Sequence, residues 1–165
     1  MAKADDMLKE LGERLKLGDL KFQDNGYCTL VFDNEHIVDI ITEEDKKDGP
    51  ILKIVCPIGS APKEIERLEL YRQMMEGNLF AQGTGGAAIY LDKDIDELLM
   101  YDRLVLNHVE YQAFESALEA FLNYLEAWKE KLKEYGSTTS IESDAPKGPV
   151  SKPPSDDIPG DFMKV

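Results

Sequence analysis

The chain has 165 residues, 42% of them hydrophobic, and its 33 acidic and 19 basic side chains give a formal net charge of −14. A chain of this length and composition can bury one core of domain size. The negative charge argues against nucleic acids and anionic membranes as partners, because both require a basic surface. It favours solubility and a partner that is neutral or basic.

The N-terminus and the cysteines indicate the compartment. The first 15 residues, MAKADDMLKELGERL, are charged and lack the apolar centre of a secretory signal. No run approaches the roughly 18 apolar residues that a membrane span requires. Cys28 and Cys56 lie in apolar runs and are expected to be reduced and buried, with a disulfide as the alternative if their strands are adjacent. These features predict a cytoplasmic protein.

The first third of the chain predicts one helix followed by three strands. Residues 4–17 have an apolar stripe at helical spacing, formed by Met7, Leu8, Leu11 and Leu15. Strands are predicted at 27–32, 36–42 and 51–58, where turn residues separate apolar stretches. Their short connections indicate an antiparallel meander, which leaves at least one sheet edge to which an extended peptide can add.

A second helix is predicted to begin near Ser60, which can act as an N-cap, and to stop at Gly77, because glycine takes the left-handed conformation of a helix end. The helix has one apolar stripe and a second apolar face, formed respectively by Ile65, Leu68, Tyr71 and Met75 and by Leu70 and Met74. Such a helix packs against two surfaces. They are either its own sheet and a second subunit or, if the helix is buried centrally, two parts of one domain; the family resemblance described below favours the second subunit.

Two more strands, at 87–91 and 98–106, precede a long third helix. Asn107 and Glu110 have the spacing of a capping box at its start. The helix has a continuous apolar seam of Tyr111, Phe114, Leu118, Phe121, Leu125, Trp128, Leu132 and Tyr135. Five charged residues are predicted to lie away from this seam: Glu115, Glu119, Glu126, Lys129 and Lys133.

The composition changes at Gly136. Residues 136–165 are rich in Ser, Pro, Asp and Gly and contain few apolar side chains. Such a segment buries too little surface to offset the entropy of ordering, so we predict that it is disordered. The chain is therefore divided into a domain, residues 1–135, and a tail, residues 136–165.

Two runs resemble ligand-binding motifs, and both depart from them. The glycine-rich run 82–86 lacks the Gly-Lys-Ser/Thr of a phosphate loop and precedes a strand instead of a helix. Asp92, Asp94 and Asp96 match the first three ligands of a calcium loop, but Glu97 and Arg103 occupy positions that require Gly and Glu. The simpler interpretations are a flexible link, or a bulge where backbones approach closely, for the first run and an acidic turn for the second.

The nucleophiles and bases form no recognisable site. His36 and His108 have no metal-ligand spacing, and we predict that both are solvated or capping. No local pattern pairs either cysteine with a histidine as nucleophile and base. We therefore expect no catalytic residue, no metal and no cofactor.

The run LYRQMMEGNLF, residues 70–80, continues into GTGGAAIYLD, a strand ending in LVLN and the helix YQAFESALEAFLNYLEAWKEKL. This succession resembles the small acidic class I chaperones of type III secretion, the Tir chaperone family, over residues 3–135. The resemblance implies an α+β fold in the order α-β-β-β-α-β-β-α, with a twisted antiparallel sheet packed with helices, and a homodimer.

The resemblance also implies a function in the bacterial cytoplasm. Proteins of this family are not enzymes; they hold the N-terminal segments of secreted effectors in extended form and bring them to the secretion ATPase. The residues implied to contact the effector are Leu8, Leu11, Leu15, Leu17, Leu20, Phe22, Leu30 and Ile40. Those implied at the dimer interface are Leu68, Tyr71, Met74, Met75 and Leu79.

Two alternatives from other classes stay open at this point. One is a small enzyme that uses the glycine run Gly83–Gly86 and the carboxylates at 92–96. The other is an acidic regulatory or dimerisation module without an effector. Co-purification of an effector separates the chaperone from this second alternative.

Overall fold

The computed structural model describes residues 2–62 and 64–135, so the predicted disordered tail, 136–165, lies outside the described residues. Three helices and five strands follow one another in the predicted order. The helices are α1 (Ala2–Leu15), α2 (Glu64–Asn78) and α3 (Tyr111–Glu134). The strands are β1 (Tyr27–Phe32), β2 (His36–Asp45), β3 (Gly49–Ser60), β4 (Ala88–Asp92) and β5 (Glu97–Val105). The α+β prediction is confirmed.

The strands form one sheet in the order β1-β2-β3-β5-β4, and every neighbouring pair is antiparallel. Successive side chains of a strand point to opposite faces, so each strand contributes alternate residues to the core. The face in the core, here called the inner face, contains among others Leu30, Val38, Ile54, Cys56 and Met100. Helices α1 and α3 contact this sheet and each other.

Helix α3 covers the core with the predicted seam. Its buried residues include Phe114, Leu118, Phe121, Leu125, Trp128 and Leu132. The prediction that Lys129 lies away from the seam is wrong, because its side chain is 4% exposed. Position 129 follows Trp128 and lies four residues after Leu125, at the margin of the same face, where the aliphatic stem of a lysine can be buried.

The predicted caps of α2 and α3 are wrong. Ser60 ends β3, where it pairs with Glu97, and α2 begins only at Glu64. The N-cap of α3 is Glu110, which makes no side-chain capping bond. Asn107 instead donates from its side-chain amide to the carbonyl of Asp48 at 2.9 Å. In both cases strand pairing or a tertiary contact engages the residue whose sequence position suggested a cap.

Gly77 does not terminate α2 by a left-handed conformation. The helix continues to Asn78, and the residues with positive φ are Phe80 and Ala81, at 52° and 54°. Gly77 is required for a different reason: a Cβ atom there would lie 2.7 Å from Cζ2 of Trp128. Contact with α3, which is invisible in local sequence, therefore explains this glycine.

Candidate functional site

Strand β1 forms a free edge of the sheet. Within the described chain it pairs only with β2, and its six residues include neither a charged residue nor a proline. Natural sheets commonly protect an edge with charged side chains or proline, because unpaired N–H and C=O groups recruit further strands. β1 therefore has the properties of an edge to which an extended peptide adds by main-chain hydrogen bonds.

An exposed apolar pair lies beside this edge, on the outer face of the sheet. Val31 and Ile37 are direct partners in the β1–β2 register, and both are more than half exposed. Sequence reasoning missed this pair as a candidate contact. Alternation assigns Val31 and Leu30 to opposite faces, but it does not say which face the helices cover. The pair adds an apolar surface to the main-chain groups of β1.

The residues expected to contact an effector occupy three environments. Four are buried in the core: Leu8, Leu11, Leu30 and Ile40. Two are partly buried against it: Leu20 and Phe22. The remaining two, Leu15 and Leu17, are 43% and 54% exposed at the end of α1. Leu15 and Leu17 thus have the largest accessible apolar surface of this set.

A second apolar surface lies on α2 and the turn that follows it. Leu68, Met75, Leu79 and Phe80, here called the α2 patch, are all more than half exposed, with Leu68 at 81% and Phe80 at 86%. Tyr71 is partly buried, whereas Met74 points into the core together with Leu70. One face of α2 is therefore buried in its own domain while the opposite face is exposed. Phe80 was not among the predicted interface residues.

Strand β4 continues this surface at the other edge of the sheet. Tyr90 and Leu91 are exposed there. Asn78, the last residue of α2, makes a double hydrogen bond to the main chain of β4: its amide donates to the carbonyl of Ile89 at 3.0 Å, and its side-chain oxygen accepts from the Ile89 N–H at 2.8 Å. This bond fixes the end of α2 against the β4 edge.

The sequence profile of the Tir chaperone protein (CesT) family matches residues 6–129. The chain belongs to this family. A protein of Chlamydia pneumoniae is 35% identical over 88 residues, which are 53% of this chain and 65% of that protein, a little under two thirds of its length.

Three solved structures are similar to this chain in architecture. The ExsC–ExsE complex has a TM-score of 0.66 at 19% identity, over 79% of this chain and 94% of that chain. The HopA1–SchA chaperone–effector complex has a TM-score of 0.62 at 18% identity, over 78% and 94%. The Yersinia pestis type III secretion chaperone SycH, in complex with a fragment of YscM2, has 0.58 at 21% identity, over 75% and 98%. At these identities the likeness shows the fold.

The glycine-rich link of this Tir chaperone family member is packed against α3. The indole Nε1 of Trp128 donates to the carbonyl of Gly83 at 2.8 Å, and a Cβ atom on Gly85 would lie 2.5 Å from the ring of Tyr124. The amides of Gly83 and Gly85 donate to the carbonyls of Gly77 and Ala81. A phosphate-binding loop requires free amides, so this link serves packing.

The acidic turn of the family member is also structural. Asp92 accepts from the N–H of Asp94 at 3.0 Å, and Asp96 forms an ion pair with Arg67 of α2. Among the residues that the structure describes, no group of three or more His, Cys, Asp or Glu side chains can hold a metal ion. In the same ranges, no helix has the length and apolarity to cross a membrane.

The two thiols lie on the inner face and are both buried and free. Strand β2 separates β1, which contains Cys28, from β3, which contains Cys56. Burial raises the pKa of the Cys28 thiol and raises that of Cys56 to about 12. Because the thiolate is the nucleophile, this shift disfavours the reactive form of both groups.

The prediction that His36 is solvated or capping is wrong. Its side chain is 6% exposed, and Nδ1 lies 2.9 Å from the buried Nζ of Lys129. A lysine ammonium has donors only, so Nδ1 accepts and the imidazole is neutral with its proton on Nε2. The contact joins the start of β2 to α3. Sequence reasoning gave no signal for it, because 93 residues separate the partners.

Proposed function

We propose that this chain is a chaperone of the bacterial cytoplasm. It binds the N-terminal segment of secreted type III effectors as a homodimer, keeps that segment soluble and secretion-competent, and delivers it to the secretion apparatus, where the secretion ATPase is its second partner. It performs no catalysis of its own. The family match over residues 6–129 carries the proposal, and the two apolar surfaces at opposite ends of the sheet support it.

The first surface is proposed to hold the effector segment. An extended segment adds to the β1 edge through main-chain hydrogen bonds, and its apolar side chains contact Leu15, Leu17 and the Val31–Ile37 pair. The acidic character of the protein favours the approach of polar, somewhat basic segments. This arrangement leaves β4 and the α2 patch for the second subunit.

The test of function is co-expression with candidate effector N-termini encoded beside the gene, followed by light-scattering mass. We expect a mass of about twice the 18.6 kDa chain for the protein alone, and that mass plus one effector chain for the co-eluting complex. A dimer that retains none of the candidate segments would favour the regulatory or dimerisation module. A monomer without an effector would contradict both parts of the proposal.

Replacing Leu68 and Met75 by aspartate is expected to convert the dimer to a monomer and to leave the fold intact. Both side chains are more than three quarters exposed in the single chain, so the charges do not disturb its core. In the dimer they would be buried without partners. Light scattering and far-UV circular dichroism check the two parts. The variant Gln112→Asp with Ser116→Asp adds the same charge to an exposed face of α3 and should remain dimeric.

Replacing Leu15 and Leu17 by aspartate is expected to weaken binding of a co-purifying effector segment at least tenfold, because two apolar contacts are replaced by charges. Dimerisation should be unchanged, since neither residue belongs to the α2 patch. Calorimetric titration of the purified effector segment measures the affinity, and the Gln112→Asp with Ser116→Asp variant again serves as the charge control. Unchanged affinity would exclude the end of α1 from the effector surface.

A further inference from the structure

The surface at the end of α1 extends beyond Leu15 and Leu17, the two residues proposed there to contact the effector. Lys16 has φ 57°, its N–H donates to the carbonyl of Glu13, and the N–H of Leu17 donates to that of Gly12 at 2.9 Å. These two bonds are those of a Schellman motif, which holds the helix end rigidly. In such motifs the side chain at the position of Leu17 usually packs against a side chain of the last helical turn. The residue at that place here is Gly12, which has no side chain. The backbone of Leu17 is therefore held by hydrogen bonds while its side chain stays exposed.

A cleft of about 620 Å³ lies beside this helix end. Gly12 is part of its wall. The loop after α1 folds back so closely that a Cβ atom on Gly12 would lie 2.4 Å from the carbonyl oxygen of Gly18. The lining residues, here called the basic cleft, are Lys9, Gly12, Glu13, Lys16, Gly18, Asp19 and Lys21. The cleft is thus formed by the chain's own close packing.

The basic cleft differs in charge from the rest of the protein. Residues 9–21 contain four basic and three acidic side chains, which give a net charge of +1. Since the whole chain has a net charge of −14, the other 152 residues together have −15. Arg14 is engaged by Glu10 and Glu115, and within the cleft lining Lys21 pairs with Asp19, which leaves Lys9 and Lys16 beside Glu13. An acidic segment with apolar side chains matches this excess of lysine, flanked by the exposed Leu15 and Leu17.

The tail contains one segment of that chemistry. Residues 155–163, SDDIPGDFM, combine Asp156, Asp157 and Asp161 with Ile158, Phe162 and Met163. The preceding part of the tail, residues 136–154, contains only two acidic residues, Glu142 and Asp144, and its large apolar residues, Ile141 and Val150, are isolated. Charge complementarity therefore selects 155–163 as the occupant.

The connection is long enough for this contact. Glu115 of α3 pairs with Arg14 near the end of α1, and the 19 residues from Glu115 to Glu134 span about 28 Å of helix. The 21 residues from Tyr135 to Asp156 reach up to about 70 Å when extended. Tethering gives an effective concentration on the order of 1 mM, so even a contact of millimolar intrinsic affinity would be about half occupied.

We propose that residues 155–163 dock in the basic cleft of the same chain and compete there with the effector segment. The competition rests on the proposed function, since Leu15 and Leu17, which are proposed to contact the effector, flank the basic cleft. The docking does not, because it concerns two parts of one chain. The tail thus acts as an internal ligand that an effector segment must displace.

Docking is tested on the full chain without an effector, by amide chemical shifts in ¹⁵N-correlated NMR spectra. The triple variant Asp156→Lys, Asp157→Lys and Asp161→Lys should shift the amides of Lys16 and Leu17. The control Glu142→Lys with Asp144→Lys reverses charge elsewhere in the tail and should leave them unchanged. A synthetic peptide of residues 150–165, added to the triple variant, should return these shifts saturably towards those of the unmodified chain.

Three outcomes overturn the proposal. If the amide shifts of Lys16 and Leu17 are the same in the triple variant and the unmodified chain, the tail does not dock. Shifts that depend on protein concentration assign the cleft to the tail of a second chain. If the tail competes with the effector, the triple variant should bind a co-purifying effector segment about two- to tenfold more tightly than the unmodified chain. Docking with no such change in effector affinity would exclude the competition. If no effector binds to any variant, the proposed function fails while the NMR result on docking stands.

Discussion

Replacing Trp128 by alanine is expected to lower the free energy of unfolding by about 3–5 kcal/mol, as for other large aromatic residues truncated in a packed core. The ring is 6% exposed and fills the space that Gly77 leaves open, since a Cβ atom on that residue would lie 2.7 Å from the ring. Its Nε1 also satisfies the carbonyl of Gly83. The alanine variant loses both the packing and the hydrogen bond.

Chemical denaturation followed by far-UV circular dichroism measures this change, because Trp128 is the single tryptophan and its fluorescence disappears with it. Trp128→Phe separates the two contributions: it keeps much of the ring and leaves the Gly83 carbonyl without its donor, which typically costs about 1–3 kcal/mol. Gly77→Ala should also destabilise, because its methyl group overlaps the ring. If the free energy of unfolding of the Trp128→Ala variant were within about 1 kcal/mol of that of the unmodified chain, the packing of Trp128 against Gly77 and Gly83 would not be important for stability.

Acidification from pH 7.5 to 5.5 is expected to destabilise the protein through His36. Burial, followed by the nearby charge of Lys129, lowers the pKa of its imidazole in the folded state, and the carboxylates of Glu35, Asp33 and Glu126 oppose this shift. The unfolded chain has a histidine pKa of about 6.5. Below that pH the unfolded state binds more protons than the folded state, so stability falls until the pH reaches the folded-state pKa.

His36→Gln should remove this part of the pH dependence, because an amide oxygen can accept from Lys129 but does not titrate in this range. Urea unfolding of both proteins at several pH values gives the difference between their free energies of unfolding. The contributions of the other titrating groups cancel in this difference. NMR titration follows the imidazole of His36 directly. An equal pH dependence in both proteins would show that the contact does not control stability.

His36→Leu is expected to be more damaging, at about 3 kcal/mol or more, because it leaves the buried ammonium of Lys129 without an acceptor. Lys129→Met should cost less, since it replaces the buried stem with an apolar side chain of similar length. If both substitutions had the same small effect, the pair would be of little energetic importance.

The periodicity of the sequence was sufficient for the order of the elements and for most of the core. Alternation in 27–32 and the three-and-four spacing from Phe114 to Leu132 depend only on which residues avoid water, and one buried face per element follows from that. The succession from Leu70 to Leu132 was also sufficient for the family. These properties are local, or they sum over many residues, so single long-range contacts do not change them.

Tertiary structure alone decided the roles of particular residues. Gly77 reads as a helix stop, but it is a glycine because Trp128 lies against it, 51 residues later in the chain. Asn107 reads as a cap, but it bonds to Asp48. The sequence predicts Lys129 and His36 to be surface residues, but both are buried, and their side chains contact each other. Likewise, the stripe of α1 does not say that Leu8 and Leu11 are core while Leu15 and Leu17 are exposed. Burial depends on which elements meet, and contacts between distant segments leave no periodic signal in the sequence.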